Sequence, residues 1–312
     1  MLIATSSYGD NELLIGKWFA ANPDKRADIF LATKFALRQG ANGPEIDTSP
    51  EYAKQAIDTS LKRLGVEQVD LYYAHRVNPN VPIEFTVQAL ADLVNLKKIK
   101  YIGLSEISSD TLRRAHKVHP ISAVQIEYSP FALEIESKQV DLLRTCRELG
   151  VAVVAYSPLA RGMLTGTIKS ADDFEEGDFR RFAPRFSNEN FPKNLKLVDR
   201  ITEVAKAKGV TPGQLTLAWL LAQGEDIFPI PGTTKKERLE ENVGSLKVSL
   251  TKEEEQEIRK AVEEAEISGQ RYPESFMAQC YADTAPLERG SSETETGGDG
   301  KPTRTADIVG GT

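Results

Sequence analysis

The chain is short of the residues that build covalent and metal-centred scaffolds. Its 312 residues include only two cysteines, three histidines and three methionines. Cys146 lies in an apolar helical pattern and Cys280 near the tail, so a disulfide-built scaffold is excluded and reduced thiols in a cytoplasmic compartment are expected. No CxxC or HExxH spacing joins them to His75, His116 or His119, so no metal is implied. Positive charge is also in deficit: 39 Lys and Arg stand against 46 Asp and Glu, a net charge of -7. The only adjacent arginines, Arg113-Arg114 and Arg180-Arg181, extend into no basic stripe, which argues against nucleic acid as a partner. There is no apolar run of the roughly 18 residues a membrane span requires, and no basic n-region or h-region at the N-terminus. The expectation is a soluble intracellular protein, long enough to bury a sizeable core without staples.

What is present is alternation. Short apolar runs rich in β-branched and aromatic residues alternate with helical periodicity, which implies a parallel sheet. The candidate strands are Asp28 to Lys34, Val69 to His75, Lys100 to Ser105, Ala123 to Tyr128, Val151 to Ser157 and Ile227 to Pro231, each apolar on consecutive positions, as strands buried on both faces should be. Ser49-Pro50 reads as an N-cap and N1 pair, followed by an apolar face ending at Gly65. Thr211 with Gln214 and Thr251 with Glu254 read as capping boxes. Asp10 or Asn11 can cap a first helix running to about Phe19. The stretch from Leu159 to Lys193 has neither period, and a loop that long inside a compact domain is usually functional. Residues 289–312, rich in Gly and Thr with almost nothing apolar, are expected to be a disordered tail, which leaves 1–288 with the length of one large α/β domain or two ordinary ones.

Polar residues recur at the ends of the apolar runs. Lys34 ends the first, His75 the second and Ser105-Glu106 the third. Gln125 and Glu127 lie in the fourth, and Tyr156-Ser157 closes the fifth. In a barrel of parallel strands such ends meet on the C-terminal face, where these folds place their chemistry. The alternative, an open doubly wound sheet, would usually carry a GxGxxG turn, and none is present. After the last run, Pro231-Gly232-Thr233-Thr234 leads into a helix near Lys235, whose N-terminus with Lys235 and Arg238 suits a phosphate; a plain turn with a solvated helix face fits the spacing equally well. A lone histidine beside tyrosines is ordinarily structural, but Lys34 at the matching end of the neighbouring strand suggests more. A buried lysine lowers the pKa of a nearby phenol, and a histidine can orient a carbonyl oxygen. The available phenol is Tyr8, just before the first helix.

Taken in order, Tyr8-Gly9, Thr33-Lys34-Phe35, Tyr73-Ala74-His75-Arg76, Gly103-Leu104-Ser105-Glu106, Gln125-Ile126-Glu127-Tyr128-Ser129, Ala155-Tyr156-Ser157-Pro158-Leu159 and Ile230-Pro231-Gly232-Thr233 resemble the aldo-keto reductases, in particular the microbial and fungal branch related to plant auxin-induced reductases. The match runs from about Tyr8 to Ala265. The resemblance implies an α/β fold, a (β/α)8 TIM barrel, that binds NADPH across its C-terminal face and reduces small-molecule aldehydes or ketones. It implies that Tyr8 is the proton donor, Lys34 the residue that lowers its pKa and His75 the carbonyl-orienting residue. Ser105 and Gln125 would hold the nicotinamide carboxamide, and Tyr156 would stack on the ring. Ser157, Leu159, Arg161 and Gly162 would follow the pyrophosphate. Thr233, Lys235, Arg238, Glu241 and Asn242 would surround the adenosine 2'-phosphate, with Gly232 where many relatives carry lysine. Glu106 stands where many relatives carry Asn.

The N-terminus departs from that pattern. Where the family carries an Asp-Thr-Ala-x-x-Tyr-Gly motif, this chain reads Ile3-Ala4-Thr5-Ser6-Ser7-Tyr8-Gly9, with Ile3 in the place of the catalytic aspartate. The first strand and helix of the family have no counterpart, so the barrel is expected to be incomplete at its N-terminus and to expose an edge through which copies could self-associate. Without the aspartate, burial should push the Lys34 pKa down. Two functions follow as expectations: an NADP(H)-dependent reductase, or a catalytically silent barrel remnant that binds nucleotide or a protein partner.

Overall fold

The computed structural model describes residues 10–41 and 43–288 together with the backbone of 2–3. Tyr8 and the tail expected over 289–312 lie outside the described residues. The elements are β1 (Leu2–Ile3), α1 (Asn11–Ala21), β2 (Leu31–Phe35), β3 (Leu37–Gly40), β4 (Gly43–Ile46), α2 (Pro50–Leu64), β5 (Val69–Ala74), α3 (Ile83–Asn95), β6 (Ile99–Ser105), α4 (Ser109–Val118), β7 (Ala123–Glu127), α5 (Leu142–Leu149), β8 (Ala152–Tyr156), α6 (Phe191–Lys208), α7 (Pro212–Ala222), β9 (Ile227–Pro229), α8 (Lys236–Gly244), α9 (Lys252–Glu264) and α10 (Glu274–Met277).

Seven strands form one parallel sheet in the order β1-β2-β5-β6-β7-β8-β9. The order never reverses, so the sheet has no switch point of the doubly wound kind and winds as a (β/α)8 barrel does. Among the described residues β1 pairs only with β2 and β9 only with β8, leaving these two as the edges. Ile3 stands in β1 opposite Ala32.

Local chemistry sets the helices. The Ser49 hydroxyl accepts from the Tyr52 amide, Pro50 opens α2, and Gly65 closes it at φ 65°, a conformation that costs glycine little. Reciprocal capping boxes open α7 through Thr211 and Gln214, and α9 through Thr251 and Glu254. Some boundaries differ from the expected ones. The first run begins at Leu31 rather than Asp28 because residues Pro23–Asp28 take a 3-10 turn started by proline. Asp10 takes the N-cap position of α1 without a side-chain cap bond. The Leu159 to Lys193 stretch contains four short 3-10 segments, and α6 begins inside its end at Phe191. The β3–β4 hairpin, absent from the sequence reading, pairs Leu37 with Ile46 beyond the end of β2.

The strands divide their side chains between two cores. One large cluster joins the sheet to its helices, with Leu31, Tyr72, Leu104, Val124 and Val153 among its members. A second, small one contains Ala32, Leu71, Tyr73, Ala123 and Val154 and lies inside the curve of the sheet. Gly103 belongs to the same inner row: a Cβ there would lie 2.4 Å from the Tyr73 ring, so glycine makes the room this tyrosine fills.

Candidate active site

The inner row fixes what comes next along each strand. Side chains alternate with period two, so the residue two places beyond an inward one is also inward. From Ala32 that gives Lys34; from Tyr73, His75; from Gly103, Ser105; from Ala123, Gln125 and then Glu127; from Val154, Tyr156. These are the polar strand-end residues picked out in the sequence, and the register sets them side by side, Ser105 opposite Gln125 and Glu127 opposite Tyr156.

Lys34 is 4% exposed, and its Nζ donates to Gln125 Oε1 at 2.6 Å. Burial, reinforced by the Arg76 guanidinium, lowers its pKa from 10.5 to about 7. The expected direction is therefore found, and the lysine's partner is an amide. His75 is pushed down to about 2, first by burial and then by the charges of Lys34 and Arg76, so its ring is neutral. Among the described residues, four polar atoms along the inner row are buried with no hydrogen-bond partner: Tyr73 Oη and, at the strand ends, His75 Nδ1, Ser105 Oγ and Gln125 Nε2. Unpaired buried polar groups are costly in a folded chain, and a set of them facing one mouth fits a polar ligand. A hydroxyl and an amide N-H suit the carboxamide of a nicotinamide.

Tyr156 is half-buried, and its hydroxyl donates to Glu106 Oε1 at 2.6 Å and lies 3.3 Å from the Tyr272 hydroxyl. Burial and then the Glu106 carboxylate raise its pKa well above 10, keeping the phenol protonated. Glu106 itself has φ 54°, a left-handed conformation that is strained for a residue with a Cβ and is held by bonds on both sides, its N-H to Gln125 and its carbonyl from Ala282.

Next to this mouth a cleft of about 460 Å³ opens between the end of β8 and the start of α8. Ser157, Leu159, Arg161 and Gly162 line one wall. Thr233, Arg238, Glu241 and Asn242 line the other. Lys235 does not reach the lining; it is exposed at the N-cap of α8, its amide donating to Thr233 Oγ1. Arg238 pairs with Glu241 at 3.3 Å. The cleft combines arginines, hydroxyls and a helix N-terminus, a donor set that fits phosphates.

Several residues of the site escaped the sequence reading. Arg271, 2% exposed, pairs with Glu106 at 3.0 Å and with Glu127 at 3.4 Å, and Arg185 meets Glu127 at 3.5 Å. Arg180 joins the cleft and donates to the Arg161 carbonyl. Glu106 and Glu127 are the signal that could have found the buried arginines, because two carboxylates at adjacent strand ends require cationic partners once buried.

The model of the aldo/keto reductase family matches residues 4–263. The chain is 51% identical over 284 residues to an aldo-keto reductase of Schizosaccharomyces pombe whose name carries NADP(+), covering 90% of this chain and 83% of that one. It is 56% identical over 265 residues to the aldo-keto reductase str7 of Strobilurus tenacellus, covering 85% and 77%. Among solved structures, a glycerol dehydrogenase from Gluconobacter oxydans superposes with a TM-score of 0.78 at 26% identity, covering 86% of this chain and 82% of that chain. A thermostable aldo-keto reductase solved with the inhibitor epalrestat superposes with a TM-score of 0.63 at 29% identity, covering 83% and 81%.

Proposed function

The chain belongs to the aldo/keto reductase family, and from that premise we propose that it is an NADPH-dependent reductase of small aldehydes or ketones. The observation that carries the proposal is the buried set of Lys34, His75, Ser105 and Gln125 at neighbouring strand ends, with three polar atoms left unpaired. When bound, the reduced nicotinamide supplies the hydride. Ser105 and Gln125 would hold the carboxamide, and Tyr156 would stack on the ring. Arg161 and its neighbours take the pyrophosphate, and Arg238, Thr233 and Asn242 take the 2'-phosphate. Tyr8, assigned from its motif, gives its proton to the carbonyl oxygen, Lys34 stabilises the phenolate left behind, and neutral His75 orients the carbonyl. Two free cysteines, Cys146 buried and Cys280 half-buried, suit a reducing, cytoplasmic setting.

Lys34 donates to an amide rather than to a carboxylate, which keeps a second reading in play: a nucleotide-binding barrel without turnover. Mixing the purified chain with NADPH and an aromatic aldehyde separates the two. Loss of the reduced nicotinamide absorbance, faster than with NADH, supports the reductase; a flat trace with fluorescent bound NADPH supports the silent barrel. We also infer self-association along the edge strands β1 and β9, since Phe228 on β9 is exposed. Sedimentation at rising concentration tests this, and one monomeric species throughout would remove it.

A further inference from the structure

Beyond the strand ends, the segment from Gly269 to Ala282 enters the mouth and is held there through Glu106. Both oxygens of this fully buried carboxylate are taken. Oε1 accepts from the Tyr156 hydroxyl, while Oε2 accepts from Arg271 Nη2 at 3.0 Å and the Tyr281 amide at 3.3 Å. Glu106, at the position next to Ser105, is thus engaged at both oxygens by the protein itself. It works as a hub joining Tyr156 to the C-terminal segment. Arg271 reaches the same tyrosine directly, with Nη1 3.5 Å from its hydroxyl and 3.4 Å from Glu127 Oε2.

The other end of the same residue faces the cleft. The Arg271 carbonyl accepts from Arg161 Nη1 at 3.2 Å. The Arg161 guanidinium is flanked by the Tyr272 ring at 4.5 Å and the Phe179 ring at 5.1 Å. Its backbone is left-handed at φ 55°, so its placement depends on these contacts. One residue thus touches both parts of the site, through its side chain at the mouth and through its carbonyl at the cleft.

We propose that Arg271 is a positioning residue for the dinucleotide: through Glu106 it fixes the Tyr156 ring on which the nicotinamide would stack, and through its carbonyl it holds Arg161 where it would meet the pyrophosphate. The inference rests on the reading of the site as an NADPH site. A buried pair held by several charge-assisted bonds has one low-energy arrangement, whereas a tyrosine released from it can rotate and lose its stacking pose. The effect of the side chain belongs to the nicotinamide end only, because any residue at 271 keeps the carbonyl that holds Arg161.

The test is a titration of the full chain with two ligands, NADPH and the adenosine bisphosphate fragment that carries the 2'-phosphate but no nicotinamide, alongside heat denaturation. Arg271→Met is expected to weaken NADPH roughly tenfold, the cost of re-ordering a Tyr156 released from its fixed pose, and to leave the fragment within about twofold. Arg271→Lys should recover part of the loss, since lysine restores charge but not the forked geometry. Tyr156→Phe should weaken NADPH in the parent yet add little in the Arg271→Met background. If Arg271→Met leaves Glu106 unpaired and fails to fold, the Glu106→Gln and Arg271→Met pair removes both charges together and is expected to give the same split between ligands. Equal losses for both ligands, unchanged NADPH binding, or losses from Tyr156→Phe and Arg271→Met that simply multiply would each overturn the proposal. A parent chain that binds neither ligand would overturn the cofactor reading itself, which distinguishes the two failures.

Discussion

At the barrel mouth Lys34, Ser105 and Gln125 are 4%, 1% and 2% exposed, whereas on the far wall of the cleft Gly232 and Thr233 stand open to solvent. The mouth is dry, so its few polar groups act strongly on each other: a lysine is brought down to about 7 and a histidine to about 2. The cleft is wet, and its charges are screened and partly paired, as Arg238 is with Glu241. Burial thus divides the labour between the two regions. Burial at the mouth tunes proton affinity, which is what chemistry needs, while the open cleft supplies many moderate contacts, which is what holding a long charged ligand needs.

The comparison breaks most visibly at the phenol. Tyr8→Phe is expected to slow aldehyde reduction by roughly 10² to 10⁴, the usual contribution of a positioned general acid, while NADPH affinity stays within a few-fold. Steady-state rates with a parallel fluorescence titration check this, and reduction at the parent rate would remove Tyr8 from the mechanism.

Lys34 gives the next largest effect, and it appears in stability. Its folded pKa lies below the unfolded 10.5, so the unfolded chain binds more protons between about 7 and 10.5. The cost of burying the ammonium is fully present below about 7 and is relieved as pH rises towards 10.5. Lys34→Met should therefore abolish turnover yet stabilise the fold by a few kcal/mol at pH near 6, with the gain shrinking in alkaline buffer. Denaturant melts at both pH values measure it; a gain that does not shrink would mean that packing, not charge, decides the difference.

The cleft should answer in smaller steps. Arg238→Ala is expected to reduce the preference for NADPH over NADH by roughly tenfold, the value of one charge-assisted contact. Lys235→Ala should change it less, since this lysine is exposed outside the lining. Dissociation constants for both cofactors decide the order, and a larger effect at Lys235 would move the 2'-phosphate off the proposed wall.

How far the sequence led depends on which force sets each feature. Helix starts at Ser49, Thr211 and Thr251 were legible because capping is local chemistry. The convergence of Lys34, His75, Ser105, Gln125 and Tyr156 was legible because strand period and parallel order determine it together. The β3–β4 hairpin was not, since Leu37 to Ile46 carries little apolar alternation and its two glycines read as loop. Arg271 and Arg185 were not legible either. Their partners lie 165 and 58 residues away, and nothing local marks an arginine that will be buried. The resemblance assigned the cofactor roles, but it did not show that Lys34 would find Gln125 or that Glu106 would be held by Arg271.

Proton chemistry is placed at the buried mouth and the cofactor's phosphates in the solvated cleft, and a paired pH series on one chain separates the two. Reduction rate and NADPH dissociation constant are measured on the same chain across neutral pH. Lys34 loses its proton as pH rises through about 7, so the rate is expected to fall across that range while the dissociation constant stays flat. A rate that holds level through neutrality, or a dissociation constant that carries the whole pH dependence, would contradict this placement.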